Sequence, residues 1–93
     1  MSMDARQFHE ELRATALPAL LSECMHAKLK FPGNRYLLAA LTEEVGELAQ
    51  ALLQKQGPER VREEALQVAC VTLRIAIEGD ATFTDITDEE AKP

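Results

Sequence analysis

The sequence is poor in aromatic residues, with no tryptophan, one tyrosine and three phenylalanines among 93 residues. Aromatic side chains bury the largest areas, and a chain this short already buries only a modest fraction of its surface. A single copy therefore has few large apolar side chains with which to form a stable core. We expect the chain to assemble at least as a dimer, in which contacts between copies add buried surface.

Basic residues and cysteines are also scarce. The chain has 10 Lys and Arg against 16 Asp and Glu, which gives a formal net charge of −6. Proteins that follow a nucleic-acid backbone need clustered positive charge, so we expect no nucleic-acid polymer as a partner. The two cysteines, Cys24 and Cys70, have no CxxC spacing and no secretory signal accompanies them. This favours reduced, buried thiols and a cytoplasmic location.

Long apolar runs and strand patterns are missing as well. Charged residues interrupt every apolar run well before the roughly 18 residues that cross a bilayer, so we expect a soluble protein without a membrane partner. No linker-like stretch divides the chain, which predicts a single domain over residues 1–93. Sustained period-two alternation is absent, whereas Ala, Leu, Glu and Gln are abundant. The predicted fold class is all-α.

The first predicted helical region is interrupted by a proline. It begins near Asp4, a plausible N-cap, and its apolar residues recur at helical spacing. Pro18 lies in the middle of this region and is expected to kink it or to split it in two. The sequence FPGN at residues 31–34 ends the region, and Asn34 is a candidate cap for the next helix.

Two further helices are predicted, over residues 35–54 and 58–77. The sequence QGPE at residues 56–59 separates them, with proline at or near the first turn of the second. We expect these two helices to form an antiparallel hairpin that assembles with other copies into a helical bundle. Residues 81–93 are expected to be a loop or tail, with or without a short helical turn.

Three carboxylates are clustered in the sequence LTEEVGEL at residues 41–48. The apolar residues around them fall on one helical stripe that we expect to face the core, namely Leu38, Leu41, Val45, Leu48 and Leu52. Glu44 and Glu47 lie at the boundary of this stripe, roughly 60° and 120° to one side, whereas Glu43 points toward solvent. By itself such a group is also typical of a solvated helix edge.

The next helix repeats this pattern without gaps in the sequence VREEALQV at residues 61–68. Its expected core stripe is Val61, Ala65, Val68, Thr72 and Ile75. Glu64 and Gln67 hold the same angular places there as Glu44 and Glu47 do on the preceding helix. Polar groups from the two helices converge if the helices pack as a hairpin. Carboxylates gathered in this way repel one another, and Mg²⁺, which prefers hard oxygen ligands, reverses the sign of that interaction.

The segments LLAALTEEVGELAQALL and EEALQVACVTLRIAIEGD resemble the MazG-like, all-α nucleoside triphosphate pyrophosphohydrolases, over roughly residues 28–80. That family has the signature Glu-Glu-x-x-Glu followed, after a gap, by Glu-x-x-Asp. The resemblance implies that Glu44, Glu47 and Glu64 bind Mg²⁺, while Glu43 supports the ligands or acts as a base. It also implies hydrolysis of a nucleotide between its α- and β-phosphates, which releases a monophosphate and pyrophosphate, and assembly as a homodimer or a homotetramer. The last acid of the signature is Gln67 in this chain.

Basic and aromatic residues near the acidic helices are candidates for contacts with the nucleotide. The candidates for phosphate contacts are Lys28, Lys30, Arg35 and Arg74. A solvated surface position is the alternative for the first three, and an ion pair with Glu78 is the alternative for Arg74. In the absence of tryptophan, Phe31 and Tyr36 are the nearest residues that can stack on a base.

Two other functions remain open from the sequence. A neutral amide oxygen is a poorer Mg²⁺ ligand than a carboxylate, so Gln67 is consistent with a non-catalytic helical module that binds a nucleotide or another protein. Phosphoribosyl-ATP pyrophosphohydrolase, whose acidic helices are similar, is the second alternative.

Overall fold

The computed structural model describes residues 2–84, and the part of the predicted tail over residues 85–93 lies outside the described residues. The described chain is all-helical and contains no strand, which confirms the predicted fold class. Its helices are α1 (Ala5–Glu11), α2 (Leu17–Lys30), α3 (Leu37–Leu53), α4 (Pro58–Glu78) and the single turn α5 (Ala81–Thr84). None of the helices within residues 2–84 combines the length and the apolar character needed to cross a membrane.

A π-helical stretch, Leu12–Ala16, separates α1 from α2. Its wide turn is closed by a hydrogen bond from the backbone N–H of Leu17 to the carbonyl of Leu12, five residues earlier. Pro18, in the first turn of α2, has no N–H to donate and its ring crowds the preceding turn. The wider turn just before it accommodates the proline. The predicted interruption at Pro18 therefore takes the form of a π-helical stretch, without a break in the helical path.

The helices α3 and α4 make the most extensive helix pair of the described chain, and α2 packs against α4. Residues 54–57 connect α3 to α4. Within this turn Lys55 has φ 53° and Gly57 has φ 103°, and the second of these values is open only to glycine at low cost. Pro58 then starts α4 at a position where no backbone N–H is needed.

The N-terminus of α3 is capped by residues that follow α4. Asp80 is buried, and its Oδ2 accepts a hydrogen bond of 2.7 Å from the backbone N–H of Leu38. Its Oδ1 accepts a second hydrogen bond, of 2.8 Å, from the backbone N–H of Thr82. Burial raises the pKa of Asp80, but these hydrogen bonds lower it, and the net pKa lies below the usual value. The start of α3 is thereby joined to the end of α4.

Asn34 does not cap α3, contrary to the expectation from its position. Its side-chain amide donates a hydrogen bond of 2.8 Å to the carbonyl of Glu78, in the last turn of α4. This carbonyl is one of those left without a partner where a helix ends, and the amide satisfies it. The FPGN segment thus contributes to the end of α4 rather than to the beginning of α3.

The face of α3 that packs inside the chain differs from the predicted stripe. Leu38, Val45 and Leu52 are 47%, 47% and 56% exposed, whereas Leu37 and Ala51 are buried. At 100° per residue, the packed face is turned by about 70° from the predicted centre, toward the carboxylates. The prediction is therefore wrong for the three exposed residues. The apolar stripe is defined by the residues of one helix alone. The face that becomes buried also depends on where the neighbouring helices lie, so the two need not coincide.

The same difference occurs on α4. Ala65 and Thr72, which were assigned to the core stripe, are exposed. The buried residues of this helix include two charged side chains, Glu64 and Arg74, and the thiol of Cys70. Charged groups are rarely buried without a partner, so these positions mark the polar part of the interior.

Both cysteines are free thiols, and Cys70 is fully buried. Burial and the neighbouring Cys24 raise the pKa of the Cys70 thiol to about 12. The thiol is therefore protonated at physiological pH and packs as a small apolar group, as its place in α4 predicted.

Candidate metal centre

Three glutamates from two helices form a cluster, which we call the acidic cluster. Glu44 and Glu47 lie one turn apart on α3, and Glu64 lies on α4. One carboxylate oxygen from each of them lies within 4.8 Å of the others. Glu64 is 4% exposed, Glu44 is half-buried and Glu47 is exposed. The cluster therefore has a buried side and a side that opens to solvent.

Two carboxylate oxygens of the acidic cluster have no hydrogen-bond donor. Oε2 of Glu44 and Oε2 of Glu64 are buried and accept no hydrogen bond from the protein. Burial is the largest cause that raises the pKa of Glu44, followed by the charges of Glu47 and Glu64, and together they bring it from 4.5 to about 7. A buried carboxylate oxygen without a partner costs roughly 1–3 kcal/mol. A proton or a cation relieves this cost, and an all-oxygen donor set with one open side fits Mg²⁺.

Arg60 supplies a partial counter-charge from the preceding turn of α4. Its Nη2 lies 2.7 Å from Oε1 of Glu64, in an i,i+4 ion pair. This pair uses one oxygen of Glu64 and leaves Oε2 without a partner. The sequence interpretation overlooked Arg60, although its spacing of four residues from Glu64 was a usable signal.

Gln67, at the position where the family signature has an aspartate, faces α2. Its side-chain amide donates a hydrogen bond of 2.8 Å to Oε2 of Glu23. Glu23 was not among the predicted site residues; it is the single acid of α2, and it lies in no acidic motif. Only the packing of α2 on α4 brings it next to the acidic segment.

A cavity of about 550 Å³ opens beside the acidic cluster, within the size range of small-molecule sites. Glu43, Glu44 and Gln67 line one part of it. The remainder includes the aromatic and basic candidates Phe31, Arg35, Tyr36 and Arg74. The structure therefore brings together, around one hollow, the predicted base, one predicted metal ligand and four of the residues expected to contact a nucleotide.

Arg74 and Lys28 are engaged by other protein groups. Arg74 is 7% exposed, and its Nε lies 2.7 Å from Oε2 of Glu78, so the predicted ion pair is confirmed. Its Nη2 donates a hydrogen bond of 2.8 Å to the carbonyl of Gly33. Lys28 pairs with Glu78 and donates to the carbonyl of Pro32. Hydrogen bonds from Arg74 and Lys28 lower the pKa of Glu78 to about 2. These two cations hold the FPGN segment against the end of α4.

Lys30 and Arg35 have more open positions. Lys30 places its Nζ 5.4 Å from the ring centroid of Phe31, at a distance typical of a cation–π contact. It lines a cavity formed mainly by α2, together with Gln67. Arg35 is exposed and lines the 550 Å³ cavity. Of the four predicted phosphate-binding residues, Arg35 and Arg74 line that cavity, and Arg35 is the exposed one.

No family model, no curated protein and no solved structure compared with the chain matches it.

Proposed function

We propose that this protein is a Mg²⁺-dependent nucleoside triphosphate pyrophosphohydrolase that releases a nucleoside monophosphate and pyrophosphate. The observation that carries the proposal is the acidic cluster: carboxylate oxygens of Glu44, Glu47 and Glu64 lie within 4.8 Å of one another, and two oxygens of the group are buried without a partner. The resemblance of the two acidic segments to MazG-like enzymes supports the same three ligands and the same reaction.

The proposed mechanism assigns roles to four acids of α3 and α4. Glu44, Glu47 and Glu64 would hold the ion, which when bound neutralises phosphate charge and lowers the pKa of a water molecule. Glu43 is exposed and lines the cavity, and it would accept the proton of the attacking water. An antiparallel hairpin of α3 and α4 would keep the acids of the two helices at a fixed separation, and the cap that Asp80 provides supports that arrangement.

The 550 Å³ cavity is the proposed place of the nucleotide. Arg35 lines this cavity and is exposed there, so it is the first candidate to contact the phosphates, and Lys30, which lines a neighbouring cavity, is the second. Phe31 and Tyr36 supply aromatic surface for a base. Lys28 and Arg74 act indirectly in this proposal, because their hydrogen bonds fix the segment that carries Phe31.

Release of pyrophosphate from a panel of nucleoside triphosphates, with Mg²⁺ and with EDTA, tests the proposal. We expect turnover that depends on Mg²⁺ and that falls at least about 100-fold in Glu44→Gln and in Glu64→Gln, because each variant loses a charged metal ligand. Glu63→Gln is the matched control, since Glu63 is an exposed acid next to Glu64 and lies outside the acidic cluster. Equal turnover in EDTA, or an active Glu44→Gln variant, would rule the reaction out.

A non-catalytic nucleotide-binding module is the second candidate, and the neutral amide of Gln67, at the position of the last acid of the signature, is the observation that favours it. The amide adds no negative charge to the metal site, so it holds a cation less strongly than a carboxylate does. Catalysis would suffer, because the bound metal has to position the phosphates and to stabilise their charge. Gln67→Asp separates the two functions. Weak Mg²⁺ binding and no turnover in the native protein, both restored by Gln67→Asp, would establish the module. Turnover by the native protein would exclude it.

We also propose that a second copy of the chain covers the exposed stripe of α3, formed by Leu38, Val45 and Leu52. The accessible surface is 7371 Å², whereas a compact monomer of 10.3 kDa has roughly 5,400 Å². The excess is larger than the roughly 800 Å² that each partner buries in a stable interface. Beyond α3, large apolar side chains are also exposed on α2 and at the end of α4, including Leu21, Leu29 and Ile77.

Light scattering after gel filtration tests the assembly. Val45→Lys places a charge in the centre of the stripe and is expected to shift the protein to the monomer. Gln50→Lys is the matched control, because Gln50 is an exposed residue of α3 away from the stripe. A native protein that runs as a monomer, or a Val45→Lys variant that keeps the native mass, would show that α3 is not the interface.

A further inference from the structure

We propose that Glu23 is a positioning residue for the metal centre: it holds the amide nitrogen of Gln67, so that the amide oxygen remains as the fourth ligand for the acidic cluster. This inference rests on the proposed function, because it concerns the same metal site. It assigns a role to a residue of α2 that lies outside the acidic segments, and it explains how an amide can occupy the position of a carboxylate.

Gln67 contacts Glu23 and lines cavities together with members of the acidic cluster. It follows Glu64 by one turn of α4, and it lines the 550 Å³ cavity together with Glu44. It also lines a smaller hollow of about 220 Å³ together with Glu23 and Glu64. The side chain therefore borders both the carboxylate of α2 and the carboxylates of α3 and α4.

The chemistry of the amide group fixes its orientation. An amide carries a donor on one branch and an acceptor on the other, and a carboxylate can only accept. The 2.8 Å contact with Oε2 of Glu23 therefore requires the nitrogen of Gln67 to face Glu23. The reversed amide would place two oxygens against each other. The carbonyl branch consequently points away from Glu23, and it can act as a metal ligand of the kind that hard cations accept.

The unpaired oxygens of the acidic cluster are the second observation. Glu64 is 4% exposed, and its Oε2, like that of Glu44, is buried without a hydrogen-bond donor. The amide nitrogen of Gln67 is a nearby donor that could satisfy one of them, and it is bonded to Glu23 instead. Glu23 thus keeps the amide nitrogen of Gln67, the donor group of this side chain, on the side of α2, which leaves the cluster a group of acceptors suited to a cation.

Binding of Mn²⁺ alone to the nucleotide-free protein, measured by calorimetry, tests the inference. Glu23→Leu removes the acceptor, so the amide can turn its nitrogen toward the acidic cluster, and we expect Mn²⁺ affinity to fall about 10-fold or more. Glu23→Gln loses the charge but keeps an oxygen in the same place, and we expect most of the affinity to remain. Circular dichroism of each variant in EDTA verifies that it is folded.

A double-mutant cycle separates positioning from a distant charge effect. In a Gln67→Leu background, Glu23→Leu is expected to cause no further loss of Mn²⁺ affinity. Equal losses in Glu23→Gln and Glu23→Leu, no loss in either, or an undiminished loss in the Gln67→Leu background would each overturn the inference. If the native protein binds Mn²⁺ tightly and neither substitution of Glu23 lowers the affinity, only this inference fails. If the native protein binds no Mn²⁺, the metal centre of the proposed function fails with it.

Discussion

The stability of the metal-free protein is expected to fall as the pH rises from about 4.5 to about 7. Burial, followed by the charges of Glu47 and Glu64, raises the pKa of Glu44 from 4.5 to about 7. Between these values the folded protein holds a proton that the unfolded chain has already released. The free energy of unfolding decreases with pH wherever the folded state binds more protons, so the sign is negative throughout this window.

The size of the effect follows from the two pKa values of Glu44. Their difference corresponds to about 3 kcal/mol, and solvent screening at this half-buried group reduces the expected loss to roughly 1–2 kcal/mol. Glu78 and Asp80 have lowered pKa values, so the stability that they contribute is lost only as the pH falls below their ordinary range. Their contribution is therefore constant above about pH 4.5, where Glu44 titrates.

Urea unfolding at about pH 5 and about pH 7.5 in EDTA measures this loss. Far-ultraviolet circular dichroism is the suitable signal, since the chain has no tryptophan. Glu44→Gln is expected to remove most of the difference between the two pH values, while Glu63→Gln keeps it. If the acidic cluster binds Mg²⁺ as proposed, Mg²⁺ added at the higher pH is expected to restore stability, since a ligand of the folded state stabilises it. Equal or greater native stability at the higher pH in EDTA would refute the reasoning.

Three further substitutions test the backbone and the caps by thermal and urea unfolding. Asp80→Ala removes the hydrogen bond that joins Leu38, at the start of α3, to the end of α4, together with the local bond from Thr82. It is expected to lower the melting temperature more than Asp4→Ala, which uncaps the exposed α1; a smaller loss would contradict that role. Lys55→Gly is expected to stabilise by about 0.5–1 kcal/mol, because Lys55 has φ 53°. Gln54→Gly, at φ −91°, is its destabilising control. Gly46→Ala is expected to stabilise by about 1 kcal/mol, since no atom lies within 4 Å of the added methyl group; a loss would indicate that another backbone approaches there.

Local features of the sequence determined the helical class and the helix boundaries. The absence of period-two alternation predicted an all-α chain, and the QGPE punctuation placed the start of α4 at Pro58. The helical angles also placed Glu44 and Glu64 in equivalent positions on their helices. These features depend on residues within one or two turns of each other, and for that reason they can be read without the fold. The oligomer remains a proposal.

The packed face of α3, by contrast, was decided by the tertiary structure. Leu38 and Val45 belong to the most apolar direction of the helix, yet the interior of the chain receives Leu37 and Ala51. The apolar residues of a helix define a direction relative to its own axis and contain no information on the position of its neighbours. The packing of α2 and α3 on α4 sets that position, and it turns Glu44 inward.

Contacts between residues distant in the chain were also invisible to the sequence. Asp80 caps Leu38 from 42 positions away, and Glu23 binds Gln67 from 44 positions away. One pair joins a carboxylate to a backbone N–H and the other joins a carboxylate to a side-chain amide, and the local sequence around these groups carries no distinguishing pattern. A hydrogen bond depends on distance and direction in space, so only the arrangement of the helices could assign these partners. The sequence by itself therefore predicted the three glutamates of the acidic cluster, and the tertiary structure decided how they are oriented and which residues contact them.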